Sequence, residues 1–104
     1  MIVCTTNTIP GCQITEILGL VRGNTIRARH IGRDITAMFR NIVGGEVDEY
    51  TKVIAESREQ ALDRMREQAI ALGADAVVEV RFSSTQVMQG AAEVLAYGTA
   101  VKLD

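Results

Sequence analysis

The run Val94-Leu95-Ala96-Tyr97-Gly98-Thr99-Ala100-Val101 constrains this chain more than any other segment. Successive side chains of a strand point to opposite faces, and a half-exposed strand keeps one face polar. Here Leu95, Tyr97 and Val101 take one face, and Val94, Ala96, Gly98 and Ala100 take the other. Neither face carries a charge. Near the start, Ile17, Gly19 and Val21 alternate with Leu18 and Leu20 in the same way. In Ala76–Phe82 the pattern places Val78, Val80 and Phe82 on one side, and Val77 with Glu79 and Arg81 on the other. Two of these three strands therefore need cover on both sides.

The cover within the chain is one long helix. Ile54, Ala61, Leu62, Met65, Ala69 and Leu72 recur at helical spacing, which predicts a helix over about 48–72. Asp48 and Glu49 suit its N-terminus, Lys52 can pair with Asp48 and Glu56, and Gly73 is the expected stop. Asp34 is an N-cap for a shorter helix at about 35–43, ended by Gly44-Gly45. Strands are expected near 2–6, 14–22, 25–30, 76–82 and 93–103. A break falls near Gly23-Asn24, a turn at Pro10-Gly11, and a long polar connection over Ser83–Gln89. This order reads as an α+β fold of two layers, a mostly antiparallel sheet packed by the helices, in one domain spanning 1–104. One long helix cannot cover both sides of a sheet. Either a second subunit does so, or the short helix and the 83–92 connection do.

With 104 residues and 11.3 kDa, a compact fold would expose about 5,700 Å². The net charge of −2 argues against nucleic acid as a partner. No apolar run approaches the ~18 residues of a membrane span, and the start of the chain lacks a basic leader. Cys4 and Cys12 fit a reducing cytoplasm.

Three groups of residues could carry chemistry. Cys4, Cys12 and His30 are the soft or borderline metal ligands, a set suited to zinc or copper(I). The alternative is that Cys4 is a small buried hydrophobe and Cys12 a turn residue. Arg22, Arg27, Arg29, Arg33 and Arg40 crowd one segment; Arg27 and Arg29 share a strand face, and Arg33 precedes a helix start where amides attract anions. Arg58 falls at the centre of the apolar helix stripe, four residues from Ile54 and from Leu62. A guanidinium there needs an acceptor, a ligand at a subunit boundary, or a route to solvent. Arg64 lies on the opposite side, where truncation should do little. No nucleophile–base pairing has diagnostic spacing, so catalysis is not the expectation.

The second half resembles a known family. Gly44-Gly45-Glu46, Tyr50, Ser57-Arg58, Ala61-Leu62, Arg64-Met65, Ala69, Leu72-Gly73-Ala74-Asp75-Ala76-Val77-Val78, Val80-Arg81-Phe82 and Ala96-Tyr97-Gly98-Thr99-Ala100-Val101 are similar in order and spacing to the YbjQ-like family of small bacterial proteins. Thr5-Thr6 and the Gly19/Gly23 segment fit the same pattern. The resemblance implies a small α+β subunit in a ring-like homopentamer, a cytoplasmic protein of unestablished activity that carries a heavy-metal-binding label. The expected role is a non-catalytic assembly or small-ligand module. The alternatives are a heavy-metal binder at Cys4, Cys12 and His30, and an enzyme or sensor for a small anion at Arg58, Arg27, Arg29 and Arg33.

Overall fold

The computed structural model describes the backbone of residues 1–27, 47–88 and 91–104. The elements run β1 (Ile2–Val3), β2 (Ile14–Arg27), α1 (Val47–Ala71), β3 (Ala76–Met88) and β4 (Ala91–Leu103). The sheet order is β1-β3-β4-β2. β1 is parallel to β3, and the β2–β4 and β3–β4 pairs are antiparallel. The expected α+β class and the long helix are both present. The short helix expected at 35–43 and the strand end at 28–30 lie outside the described residues.

Helix α1 packs chiefly on β2, then on β4, and barely touches β3. It stops as the sequence requires. Gly73, at φ 78°, sends its N–H to the Ile70 carbonyl (2.9 Å), and Ala74 sends its own to Ala69 (3.1 Å). That pair of bonds satisfies carbonyls the helix leaves open, and only glycine takes this conformation without cost.

Gly23 does not break the strand; β2 is continuous through it. A Cβ at Gly23 would lie 2.2 Å from the Ala61 carbonyl oxygen and 2.3 Å from the Met65 nitrogen. The helix backbone rests directly on the strand there. Two residues on, the Thr25 hydroxyl donates to the Ser57 carbonyl (3.0 Å), both residues being buried. Two further helix side chains close the outer edge of β2: the Arg22 N–H donates to Gln68 Oε1 (2.7 Å), and Arg64 donates to the Asn24 carbonyl. Arg64 is thus tied to the sheet, not idle on the far side of the helix. Arg58 is the one that stands in solvent. At its turn the helix lies over the edge strand through the Ser57–Thr25 bond, and Ser57 takes the buried position. Leu72, expected on the apolar face, is also exposed, because α1 has ended at Ala71 and Leu72 lies in the turn that follows.

Bulges decide which face each strand residue serves. Between Val78 and Arg81 strand β3 carries one residue more than β4 opposite, and Glu79 there has φ 53°. The extra residue shifts the alternation. Val77 and Val80 join the core under the helix, and Val78 joins the other face, so all three are buried. This corrects the expected grouping of Val78 with Val80. A second irregularity between Ile17 and Gly19, where Gly19 has φ 123°, puts Ile17 and Leu20 on one face three residues apart. The Ser83–Gln89 stretch, expected as a loop, continues β3 to Met88 and pairs with β4. Its serines and threonine are polar but sit comfortably on a pleated surface.

The larger core lies under the helix: Val21, Ala61, Met65, Ala69, Val77, Val80, Val94, Ala96 and Ala100. A smaller cluster on the other face joins Ala76, Val78 and Val101 with Cys4, Ile9 and Leu103.

Candidate functional site

The N-terminal segment builds the first candidate. After β1 the chain keeps company with β3: the Cys4 N–H donates to Val77 (3.0 Å), Val80 to Cys4 (3.0 Å) and Glu79 to Thr6 (3.0 Å). It then turns at Pro10-Gly11, with Gly11 at φ 82° and Cys12 donating to the Ile9 carbonyl (3.1 Å). Proline followed by a glycine of positive φ is the chemistry of a type II turn. Cys4 and Cys12 are both free and half-buried. The Cys4 thiol points to the Thr6 carbonyl (3.7 Å) and its body packs in the smaller core beside Ile9. Among the described residues no three His, Cys, Asp or Glu side chains gather into a metal-binding group. His30 lies outside the described residues.

The arginines separate. Arg29 and Arg33 lie outside the described residues; the Arg27 backbone ends β2, opposite Ala92. Arg58 is exposed and among the described residues meets no acceptor. A different set comes together instead. The register sets Arg22 opposite Tyr97 and Tyr97 opposite Arg81, so one rung of three strands reads Arg–Tyr–Arg on the face away from the helix. All three are exposed. Arg81 is anchored, one guanidinium nitrogen donating to the Thr5 and Val80 carbonyls at 2.9 Å each. Its remaining donors are available to a carboxylate or phosphate. Spacing along the sequence gives no hint of this rung, which needs the register across β4.

The most extensive feature is apolar. On the face away from the helix, β2 exposes Ile17 (70%), Leu20 (66%) and Ile26 (57%), with Ile14 and Tyr97 nearby in the register. At the opposite edge of the sheet Met1, Ile2 of β1, Leu72 just past α1 and Phe82 of β3 (50%) are exposed too, Ile2 on the face of Ala76 away from the helix and Phe82 on the helix-side face of Ala96. Isolated exposed apolar residues are ordinary, but groups of this kind mark contact surfaces. The molecule is also long: 53 × 24 × 17 Å, with a radius of gyration of 16.9 Å, against about 13 Å for a compact chain of this length.

Asp75 ties the ends of the sheet. Its carboxylate accepts from the Leu103 N–H (2.9 Å) and from Lys102 Nζ (3.5 Å). The Leu103 bond, with the Lys102 charge and hydrogen bond, holds its pKa below the ordinary carboxylate value against a smaller opposing effect of desolvation.

Comparison with known proteins agrees with the resemblance in the sequence. A YbjQ family model, described as "Putative heavy-metal-binding", matches residues 1–104. A UPF0145 protein of Archaeoglobus fulgidus is 57% identical over 103 residues, 99% of this chain and 95% of that protein. One of Thermotoga maritima is 53% identical over 104 residues, 100% of this chain and 98% of that protein. The occurrence in an archaeon widens the expected bacterial range. A crystal structure of a protein of unknown function from Pediococcus pentosaceus, assigned to the DUF74 family, superposes with a TM-score of 0.61. It is 16% identical and covers 100% of this chain and 98% of that one, a likeness of fold. Among the described residues no helix is long and apolar enough to cross a membrane.

Proposed function

The chain belongs to the YbjQ family, and on that premise we propose that it is a non-catalytic cytoplasmic subunit that assembles with copies of itself, five to a ring, as a scaffold or small-ligand module. One observation supports this above the others. The chain exposes 6931 Å², whereas a compact monomer of its mass would expose about 5,700 Å². The excess, roughly 1,200 Å², is on the scale of the ~800 Å² that each partner contributes to a stable interface. The apolar residues exposed on the sheet are what such an interface would cover.

Native mass spectrometry of the purified protein tests the reading. The expected result is a particle of five chains. An 11.3 kDa monomer at micromolar concentration overturns it. The same spectrum addresses the family's heavy-metal description, for which the ligands would be Cys4, Cys12 and His30 and the metal zinc or copper(I). A stoichiometric metal, lost in a Cys4→Ser/Cys12→Ser variant together with thermal stability, would favour that second function. An unchanged mass and assembly in the variant would favour the scaffold.

A further inference from the structure

We infer that Cys4 and Cys12 are two separate thiol positions, too far apart to hold one metal ion or to form one disulfide within a chain, so that a soft ion bound by two thiolates takes them from two copies. The inference goes beyond the proposed assembly and does not depend on the number of copies in it.

Only eight positions and the turn at Pro10-Gly11 separate the two cysteines, and a hairpin there would bring them side by side. The chain takes another course. Cys4 runs along the outer side of β3, its N–H on the Val77 carbonyl (3.0 Å) and its own carbonyl taking the Val80 N–H (3.0 Å). It is thus level with Val78, which pairs with Thr99 of β4. The segment that follows crosses the face away from the helix, where Ile9 packs against the cluster of Ala76, Val78 and Val101. Cys12 emerges on the far side, next to Gln13. Gln13 is tied to the end of β4: the Asp104 N–H donates to its carbonyl (3.1 Å), and its N–H donates to Asp104 Oδ1 (2.9 Å). Ile14 then opens β2 opposite Leu103.

The sheet measures the gap. From Thr99 to Asp104 is five residue steps, about 17 Å along a strand. Across the sheet, Cys4 continues β1 and Gln13 leads into β2, so three strand intervals lie between them, about 14 Å. The diagonal is about 22 Å. One step of about 3.8 Å from Gln13 to Cys12 and two short side chains still leave the sulfurs more than about 10 Å apart. Zinc–sulfur bonds of about 2.3 Å bring two ligating sulfurs within about 4 Å of each other, and a disulfide needs Cα atoms within about 7 Å. Closing the gap would strip Cys4 from β3 or Gln13 from Asp104. The family's heavy-metal description therefore does not fit a centre built on both cysteines of one chain.

Diamide treatment of the folded parent, read by mass spectrometry under denaturing and non-reducing conditions, tests the inference. Diamide takes up the two hydrogens of a thiol pair and leaves a disulfide. No single folded chain should lose that pair of hydrogens; any disulfide formed should join two chains. In urea, where the sheet no longer holds the thiols apart, the single chain should lose them. A folded single chain closed by its own disulfide overturns the inference. Zinc gives a second readout, by competition with a chromophoric chelator. Where the parent takes up zinc and Cys4→Ser and Cys12→Ser each lose it, an equimolar, co-refolded mixture of the two variants should regain part of it, since the thiolates come from different chains. No recovery in the mixture places both thiolates in one chain and overturns the inference.

Discussion

Within β2, neighbouring residues serve different purposes. Val21, Gly23 and Thr25 are buried beneath α1; Leu20, Arg22, Asn24 and Ile26 stand on the opposite face in solvent. The first set meets a helix backbone, a helix carbonyl and the larger core. The second meets nothing comparable among the described residues. A strand with period two can therefore hold a monomer together with alternate residues and leave the intervening ones to face another molecule. Damage on one side should unfold the chain. Damage on the other should leave it folded and alter what it joins.

The sharpest way to break this contrast is Gly23→Ala beside Asn24→Ala. A methyl group at Gly23 collides with the backbone of Ala61 and Met65, which cannot give way as a flexible side chain would. The expected cost is about 3 kcal/mol or more, toward and beyond the upper range for overpacking. Asn24, exposed and bonded to Glu93 (3.1 Å), should cost no more than about 0.5 kcal/mol. Chemical denaturation measures both; equal midpoints would refute the division of labour. Thr25→Val comes next. It keeps the shape and removes the hydroxyl that reaches the Ser57 carbonyl, a loss of about 1 kcal/mol in urea melts.

A smaller effect, of opposite sign, is expected at Glu79. Its φ of 53° is strained for a residue with a Cβ. Glu79→Gly should raise stability by about 0.5 kcal/mol, the relief being partly offset by a more flexible unfolded chain. The mildest prediction concerns Asp75, whose folded pKa is depressed. Its contribution is fully present above the unfolded value of about 3.9 and is lost as pH falls through the lower folded value. Melting temperatures of the parent should drop more steeply than those of Asp75→Asn as pH falls below the unfolded value of about 3.9. Parallel curves would mean that the Leu103 and Lys102 contacts do not favour the charged form.

Regular periodicity made part of this molecule legible. The helix span, its glycine stop, the Pro10-Gly11 turn and the two-sided apolar β4 all follow from spacing. What spacing conceals is any position where the chain leaves its period. Nothing in Val78-Glu79-Val80 announces a positive φ, yet that angle decides which face Val80 and Phe82 serve. Gly23-Asn24 looks like a turn, since the sequence cannot show that a helix will lie on that glycine. Arg58 looks buried because a helical wheel assumes that the sheet runs under the whole helix. Of the candidate sites, Cys4 lies half-buried against the smaller cluster, a place that periodicity in the sequence does not give. The Arg22–Tyr97–Arg81 rung depends on strands that are distant in sequence.

The bulge at Glu79 also has a genetic consequence. β3 buries Val77, Val78 and Val80 only because one residue is supernumerary to the pairing with β4. A codon deletion there would restore strict alternation and keep every face, since Val78 and Arg81 already sit opposite Thr99 and Tyr97, whereas a strand flattened with the extra residue still in it would exchange the faces from Val80 onward, as a one-step register slip does. Val80 would leave the core, and Phe82 would move to the opposite surface. Substitution at position 79 leaves this parity intact where the new residue tolerates a positive φ, so descendants of such a gene can change that residue within this limit or lose it together with its bulge.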